Sequence, residues 1–268
     1  VRIDTESGSE VSLRQAQQSA SQATQTAEVA SSLEDWEAAL TGWEKALRDL
    51  RQIPQGTMAY AEAQQLLPEY DEQYQAVRER AEKERSAERS LSNAKELAAE
   101  AQQAESEAQW SLAVERWNSA LYQLRDVPQG SLAHSEVEPL LARYTSELGK
   151  TETSQQVALN FQPIEPSFYL VCGLTAIQKC TYSVQSGSVR VDLFQGYDTV
   201  IGQSITPPDQ RGDVIPEEAL VGDGNQLLQQ ITLLSTQAQV PVELYNAEGN
   251  FMARYRPELN GFVKERGT

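Results

Sequence analysis

What is scarce in these 268 residues narrows the field first. There is one histidine, His134, so imidazole acid–base catalysis and histidine-rich metal sites have almost nothing to work with. There are two cysteines, Cys172 and Cys180, too few for a disulfide framework and lacking the CxxC spacing of a zinc knuckle. No apolar run approaches the ~18 residues expected of a membrane-spanning helix. Basic residues number 22 against 39 acidic ones, a formal charge of -17. A nucleic-acid backbone or an anionic lipid surface requires the opposite sign, so neither is an expected direct partner. The serine-nucleophile pattern G-x-S-x-G and the P-loop lysine are both missing. No cofactor, metal or catalytic set is expected. An enzyme built from this chain would have to rely on a pair of Asp or Glu carboxylates ~5–9.5 Å apart, as glycosidases do, and no motif announces one.

Composition changes near residue 157. Residues 1–156 hold 5 Gly and 4 Pro and are rich in Ala, Glu, Gln, Leu and Arg, all good helix formers. Residues 157–268 hold 10 Gly and 7 Pro with more Val, Tyr, Phe and Thr. The pattern predicts an α+β chain: a long-helix and helical-hairpin region over 1–156, then a small strand-rich α+β domain over 157–268. Pro163 and Pro166 mark TETSQQVALNFQPIEP as a stiff linker between them.

The strongest signal is an internal repeat at an offset of 74 residues, aligning 30–70 with 104–144 without a gap. Trp36 and Trp110, Trp43 and Trp117, Leu47 and Leu121, Leu50 and Leu124, and Tyr70 and Tyr144 are matched pairs, and Pro54-Gln55-Gly56 returns as Pro128-Gln129-Gly130. Trp36, Leu40, Trp43, Leu47 and Leu50 recur at helical spacing, so the tryptophans are expected on a buried stripe. Ser32 with Asp35, and Ser106 with Gln109, resemble capping boxes that start a helix in each copy. Each helix is expected to stop at the Pro-Gln-Gly turn and be followed by a second, carrying Leu66, Leu67 and Tyr70 or Leu140, Leu141 and Tyr144. Between the hairpins, the charged segment around RERAEKERSAER reads as part of a long helix of 35–45 residues with a solvated middle. An earlier counterpart, LRQAQQSASQATQTAEVA, precedes the first hairpin.

The pattern carried by Trp36, Ala39, Trp43, Ala46, Leu47 and Pro54, and by their second-copy equivalents, resembles a tetratricopeptide-type helical hairpin. It departs from that family in its 74-residue period, against 34, and in lacking the Gly-Tyr pair. It is also similar to paired-Trp helical repeats of membrane-anchored cyanobacterial proteins. These resemblances imply a protein-binding scaffold, with Glu37, Glu44 and Arg51 as candidate partner contacts on a polar face. The chain begins at Val1 rather than Met, and the resemblance places a membrane anchor upstream of it and the chain itself outside the cytoplasm. Amphipathic helices of this length could also pair between copies or form coiled coils.

In the C-terminal part, SFYLV, CTYSV, SVRVDLF and DTVIGQSIT read as strands, NQLLQQITLLSTQA as a helix with Leu227, Leu228, Ile231, Leu233 and Leu234 on its apolar face, and VPVELYNAEGNFMARYRP as a hairpin. Cys172 and Cys180 could bond across a hairpin or remain as two half-buried thiols; a bond would imply an oxidising compartment. Gly222-Asp223-Gly224 reads as a turn and N-cap, whose helix N-terminus could attract phosphate. Asp209, Asp213, Glu217, Glu218 and Asp223 could gather round Ca²⁺, although their spacing matches no EF-hand, and Arg211-Gly212-Asp213 is a bare RGD tripeptide. The leading expectation is a non-enzymatic interaction or scaffold module with a protein partner. The alternative is a C-terminal head that binds a glycan, peptide or cation on a helical stalk.

Overall fold

The computed structural model describes residues 2–173, 178–207 and 218–264. The chain is α+β: helices fill its first part, and a five-stranded mixed sheet lies at its C-terminal end. It divides into two compact units, one of residues 1–97 and 119–144, the other of 98–118 and 145–268. The division therefore does not fall at 156/157. Three helices, α3 (Met58–Ser106), α4 (Trp110–Arg125) and α5 (Val137–Phe161), each contribute to both units.

In the first unit, α1 (Arg2–Glu28) packs on α2 (Leu33–Arg51) through small residues. Ala16, Ala20 and Ala23 are buried, as are Ala39, Trp43, Ala46, Leu47 and Leu50 at helical spacing. A Cβ at Gly42 would come within 2.9 Å of the Ala23 Cβ, so this glycine sets how closely the two helices approach. Ser32 caps α2 as the sequence predicts. Its hydroxyl accepts from the Asp35 amide at 3.2 Å, and Asp35 accepts in return from the Ser31 and Ser32 amides at 2.9 and 3.0 Å. These bonds, led by the Ser31 amide, hold the Asp35 carboxyl below its ordinary pKa. Trp43 meets Tyr70 edge-on at 5.2 Å. Both Pro-Gln-Gly turns end their helices with glycine at positive φ, 92° at Gly56 and 71° at Gly130.

The second hairpin helix and the expected connector are one element, the 49-residue α3, which continues through Pro68. Its charged middle is not solvated all round: Ala81, Glu84, Ala87, Ser90 and Leu91 are buried. Burial at three-residue spacing, with Glu84 between Ala81 and Ala87, makes that seam. Ser106 does not cap α4. It is the last residue of α3, its hydroxyl donates back to the Gln103 carbonyl at 2.7 Å, and the Gln109 amide closes the helix end on the Ala104 carbonyl at 2.8 Å. Ala108 supplies the positive φ there, 55°. The second Trp-bearing helix thus starts at Trp110. A short 3-10 helix, Leu132–Glu136, precedes α5.

In the second unit the expected Pro linker is mostly helical: α5 runs to Phe161, and α6 (Glu165–Cys172) begins with Pro166 in its first turn, where a missing N–H costs nothing. SFYLV and DTVIGQSIT are helices, not strands, lying in α6 and α7 (Tyr197–Ile205). Their buried residues, Phe168 with Cys172 and Tyr197 with Val200 and Ile201, repeat at three and four. α8 (Glu218–Ala238) is longer than predicted and takes Gly222-Asp223-Gly224 into its body, where Gly224 lets it close on Val200. That triplet is therefore no helix N-terminus and no phosphate seat. Leu227 and Ile231 are buried, whereas Leu233 is exposed.

The sheet has the order β1-β2-β3-β4-β5, with β1 (Cys180–Gln185), β2 (Ser188–Leu193), β3 (Val242–Tyr245), β4 (Phe251–Arg256) and β5 (Gly261–Val263). β2 and β3 pair in parallel, with α7 and α8 between them in sequence; the other pairs are antiparallel. Val189, Val191, Leu193, Val242, Leu244 and Tyr255 join Phe161, Phe168, Ile201, Leu227 and Ile231 in one core. Among the described residues, no helix is long and apolar enough to cross a membrane.

Candidate functional site

The three candidate partner contacts are engaged inside the first unit. Glu37 pairs with Arg85 at 2.7 Å, Glu44 accepts from the Tyr74 hydroxyl at 3.3 Å, and Arg51 pairs with Asp71 at 3.5 Å. Their seven-residue spacing puts them in register with α3, so they zip α2 to its antiparallel neighbour. Glu44 and Arg51 still line a groove of about 370 Å³ with Leu47, Arg48, Asp71 and Tyr74.

Both turns are held in one manner that the sequence did not advertise. The Met58 amide donates to Glu6 of α1 at 2.7 Å, and the matched Leu132 amide donates to Glu84 of α3 at 2.8 Å. Glu84 is 3% exposed and pairs with Arg80 at 2.5 Å. Arg80 also donates to the Gly130 carbonyl at 2.8 Å and lies over the Trp36 ring, 5.3 Å from its centroid. A buried carboxylate, a cation and an indole therefore clasp the turn that follows.

Beside that clasp, in the first unit, is a groove of about 450 Å³ with three walls: Ser31–Leu33 at the start of α2, α3 from Glu84 to Lys95, and the 3-10 helix through Leu132, Ala133 and Glu136. Lys95 reaches across to Glu136 at 2.7 Å. His134 lies on that 3-10 helix, at the position matched with Tyr60.

The second unit has a groove of about 590 Å³ beside its own Trp-bearing helix, and Ala158, Gln162 and Glu165 in its lining match Glu84, Glu88 and Leu91 of the first. Its walls are Ala108–Leu112 at the start of α4 and Gln155, Ala158, Leu159, Phe161, Gln162 and Glu165, with Val184 of β1 at one side. Carrying the offset of 74 along the two uninterrupted helices, Ser154 stands for Arg80 and Ala158 for Glu84. The clasp is absent here. Ser154 donates to the Lys150 carbonyl instead, and no cation covers Trp110 among the described residues. Trp110, like its match Trp36, is half-buried, and Leu159 is exposed, whereas Trp43 and Trp117 lie in the core. Trp117 donates to Glu105 at 2.8 Å, and the Thr151 hydroxyl shares that carboxylate.

Cys172 and Cys180 form a disulfide, joining the end of α6 to the start of β1 rather than the arms of a hairpin. The charges of the polar sheet face pair with one another, and the buried Nε of Arg254 has no hydrogen bond among the described residues. Arg190 pairs with Asp192 at 2.5 Å and lies 3.7 Å over Tyr245, whose hydroxyl donates to Glu243; Arg254 pairs with Glu243 at 3.4 Å. The Asp192 carboxylate raises the Arg190 pKa further. Of the proposed cation ligands, Asp223 sits in α8 near Lys179, while Asp209, Asp213, Glu217, the Glu218 side chain and the RGD tripeptide lie outside the described residues. No cluster of three or more potential metal ligands occurs among the described residues. Comparison with protein-family models, curated proteins and solved structures gives no match to this chain.

Proposed function

We propose that this chain is a non-enzymatic protein-binding module, a scaffold of tetratricopeptide-like character that engages its partner through the groove at Trp110. One observation carries the reading: a position clasped shut in the first copy by Arg80 and Glu84 is open in the second, with a half-buried indole and an exposed leucine lining it. Open, mostly apolar concavities with a few convergent polar groups are where ligands bind, and aromatic anchors contribute much of the energy of protein interfaces. The charge of -17 supports a protein rather than a nucleic acid or an anionic lipid as partner. The disulfide supports work in an oxidising compartment.

Affinity purification with the full chain and with its Trp110→Ala and Leu159→Lys variants tests this. A partner kept by the parent and by Glu37→Ala but lost from both groove variants supports it; equal recovery by all overturns it. A second reading, a ligand-binding head for a neutral oligosaccharide, draws on the same place, since Gln109, Ser111, Gln155 and Gln162 add hydrogen-bonding groups to the groove lining. Glycan binding that raises the melting temperature of the parent but not of Trp110→Ala would favour it.

A further inference from the structure

Resting on the protein-binding reading, we infer what occupies the Trp110 groove: a helical turn of a partner protein that presents an aliphatic side chain and, one turn on, a lysine or arginine. The first groove shows the arrangement within the molecule. Two of its walls are the start of a Trp-bearing helix and the face of the long helix behind it, and the third is a 3-10 turn contributing Leu132, Ala133 and Glu136. The second groove shares the wall on which Ala158, Gln162 and Glu165 match Glu84, Glu88 and Leu91; the start of α4 lines it slightly later in the repeat than Ser31–Leu33 lines the first, Val184 stands at one side, and no 3-10 turn lines it among the described residues. Its volume is about 590 Å³, against about 450 Å³ for the first.

The charges in the two linings fix the partner's sign. In the first groove the seated turn carries Glu136, and the lining answers with Lys95 at 2.7 Å. In the second, Glu165 is the one charged residue of the lining, and it has no ion-pair partner among the described residues. A seated turn that brought an acid to Glu165 would meet like charge, and one that brought a base there would meet its complement. Ala158 in place of Glu84 removes the acceptor that held the Leu132 amide, so backbone clasping contributes less and side-chain burial against Trp110, Leu112 and Leu159 contributes more. The occupant is therefore apolar and basic, and a chain carrying a charge of -17 is repelled by a second copy of itself, which favours a different, basic protein.

The test is a titration of the full chain with two synthetic peptides, followed by fluorescence anisotropy. One copies residues 127–144 of this chain; the other carries Glu136→Lys in that sequence. The lysine peptide is expected to bind at least tenfold more tightly, to lose at least tenfold on Trp110→Ala or Leu159→Lys, and to yield its advantage to the parent peptide on Glu165→Lys. Circular dichroism of each variant verifies that it is folded. Equal affinity of the two peptides, binding indifferent to Glu165→Lys, or no binding by either overturns the inference. An extended lysine-rich peptide that binds at Trp110 when both turn peptides fail would overturn the inference alone. An oligosaccharide that binds there when all peptides fail would overturn the protein-binding reading as well.

Discussion

Glu84 is a charged side chain kept almost wholly from water, and its two partners, Arg80 and the Leu132 amide, depend on it. Glu84→Ala strands the Leu132 amide and leaves Arg80 with the Gly130 carbonyl and the Trp36 face alone. Breaking a buried pair by removing one member costs ~3–5 kcal/mol, and because Arg80 is partly exposed the expected loss is nearer ~2–3 kcal/mol. Denaturant melts should show it, with exposed Glu88→Ala within ~0.5 kcal/mol of the parent as control. Asp35 gives a pH signature. Its folded pKa lies below the ordinary carboxylate value, so its stabilising effect is complete above that value and is lost as pH falls through the folded one. Asp35→Asn should therefore lower the melting temperature near neutral pH and change it little at about pH 2. At this scale the sequence was a good guide where a residue's role is local, as in the Ser32 cap and the buried Trp43 and Trp117. It was silent where the role comes from a neighbour far along the chain. Nothing in RERAEKERSAER distinguishes Glu84 from Glu82 until the turn at Gly130 comes to rest on it.

Helix packing makes the opposite prediction from helix propensity at one glycine. Gly→Ala in a helix interior gains ~1 kcal/mol from propensity. At Gly149, where a new methyl meets nothing within 4 Å, that gain should appear as a higher melting temperature. At Gly42 the methyl would press on Ala23 at 2.9 Å, so Gly42→Ala should lower it by forcing α1 and α2 apart. Element identity was legible wherever periodicity was long, as in α2, α3 and α4. Short apolar runs misled: SFYLV and DTVIGQSIT are β-rich in composition yet helical, because Pro166 and Glu165 start one helix and three-and-four burial selects the other. The groove at Trp110 was half visible, its indole marked by the repeat and its far wall hidden in what read as a linker.

Across the whole molecule, the disulfide closes a separation of 8 residues, and loop entropy alone assigns such a closure ~2.5 kcal/mol. Reduction, or the paired change Cys172→Ser and Cys180→Ser, should lower the melting temperature, with a thiol-reactive dye showing no free thiol before reduction and two per chain after it. The α+β class and the order of helices before strands could be read from composition. The division into two units could not, because it follows contacts that cut across α3, α4 and α5 instead of a break in composition. That arrangement bears on how the molecule can be taken apart. Scissors applied at 156/157 would sever α5 just ahead of Val157 and Phe161, which belong to the sheet's own core, so loss of binding by such a fragment would report a ruined fold and reveal nothing about where a partner sits. Point substitutions in the intact polypeptide are the instrument this architecture permits.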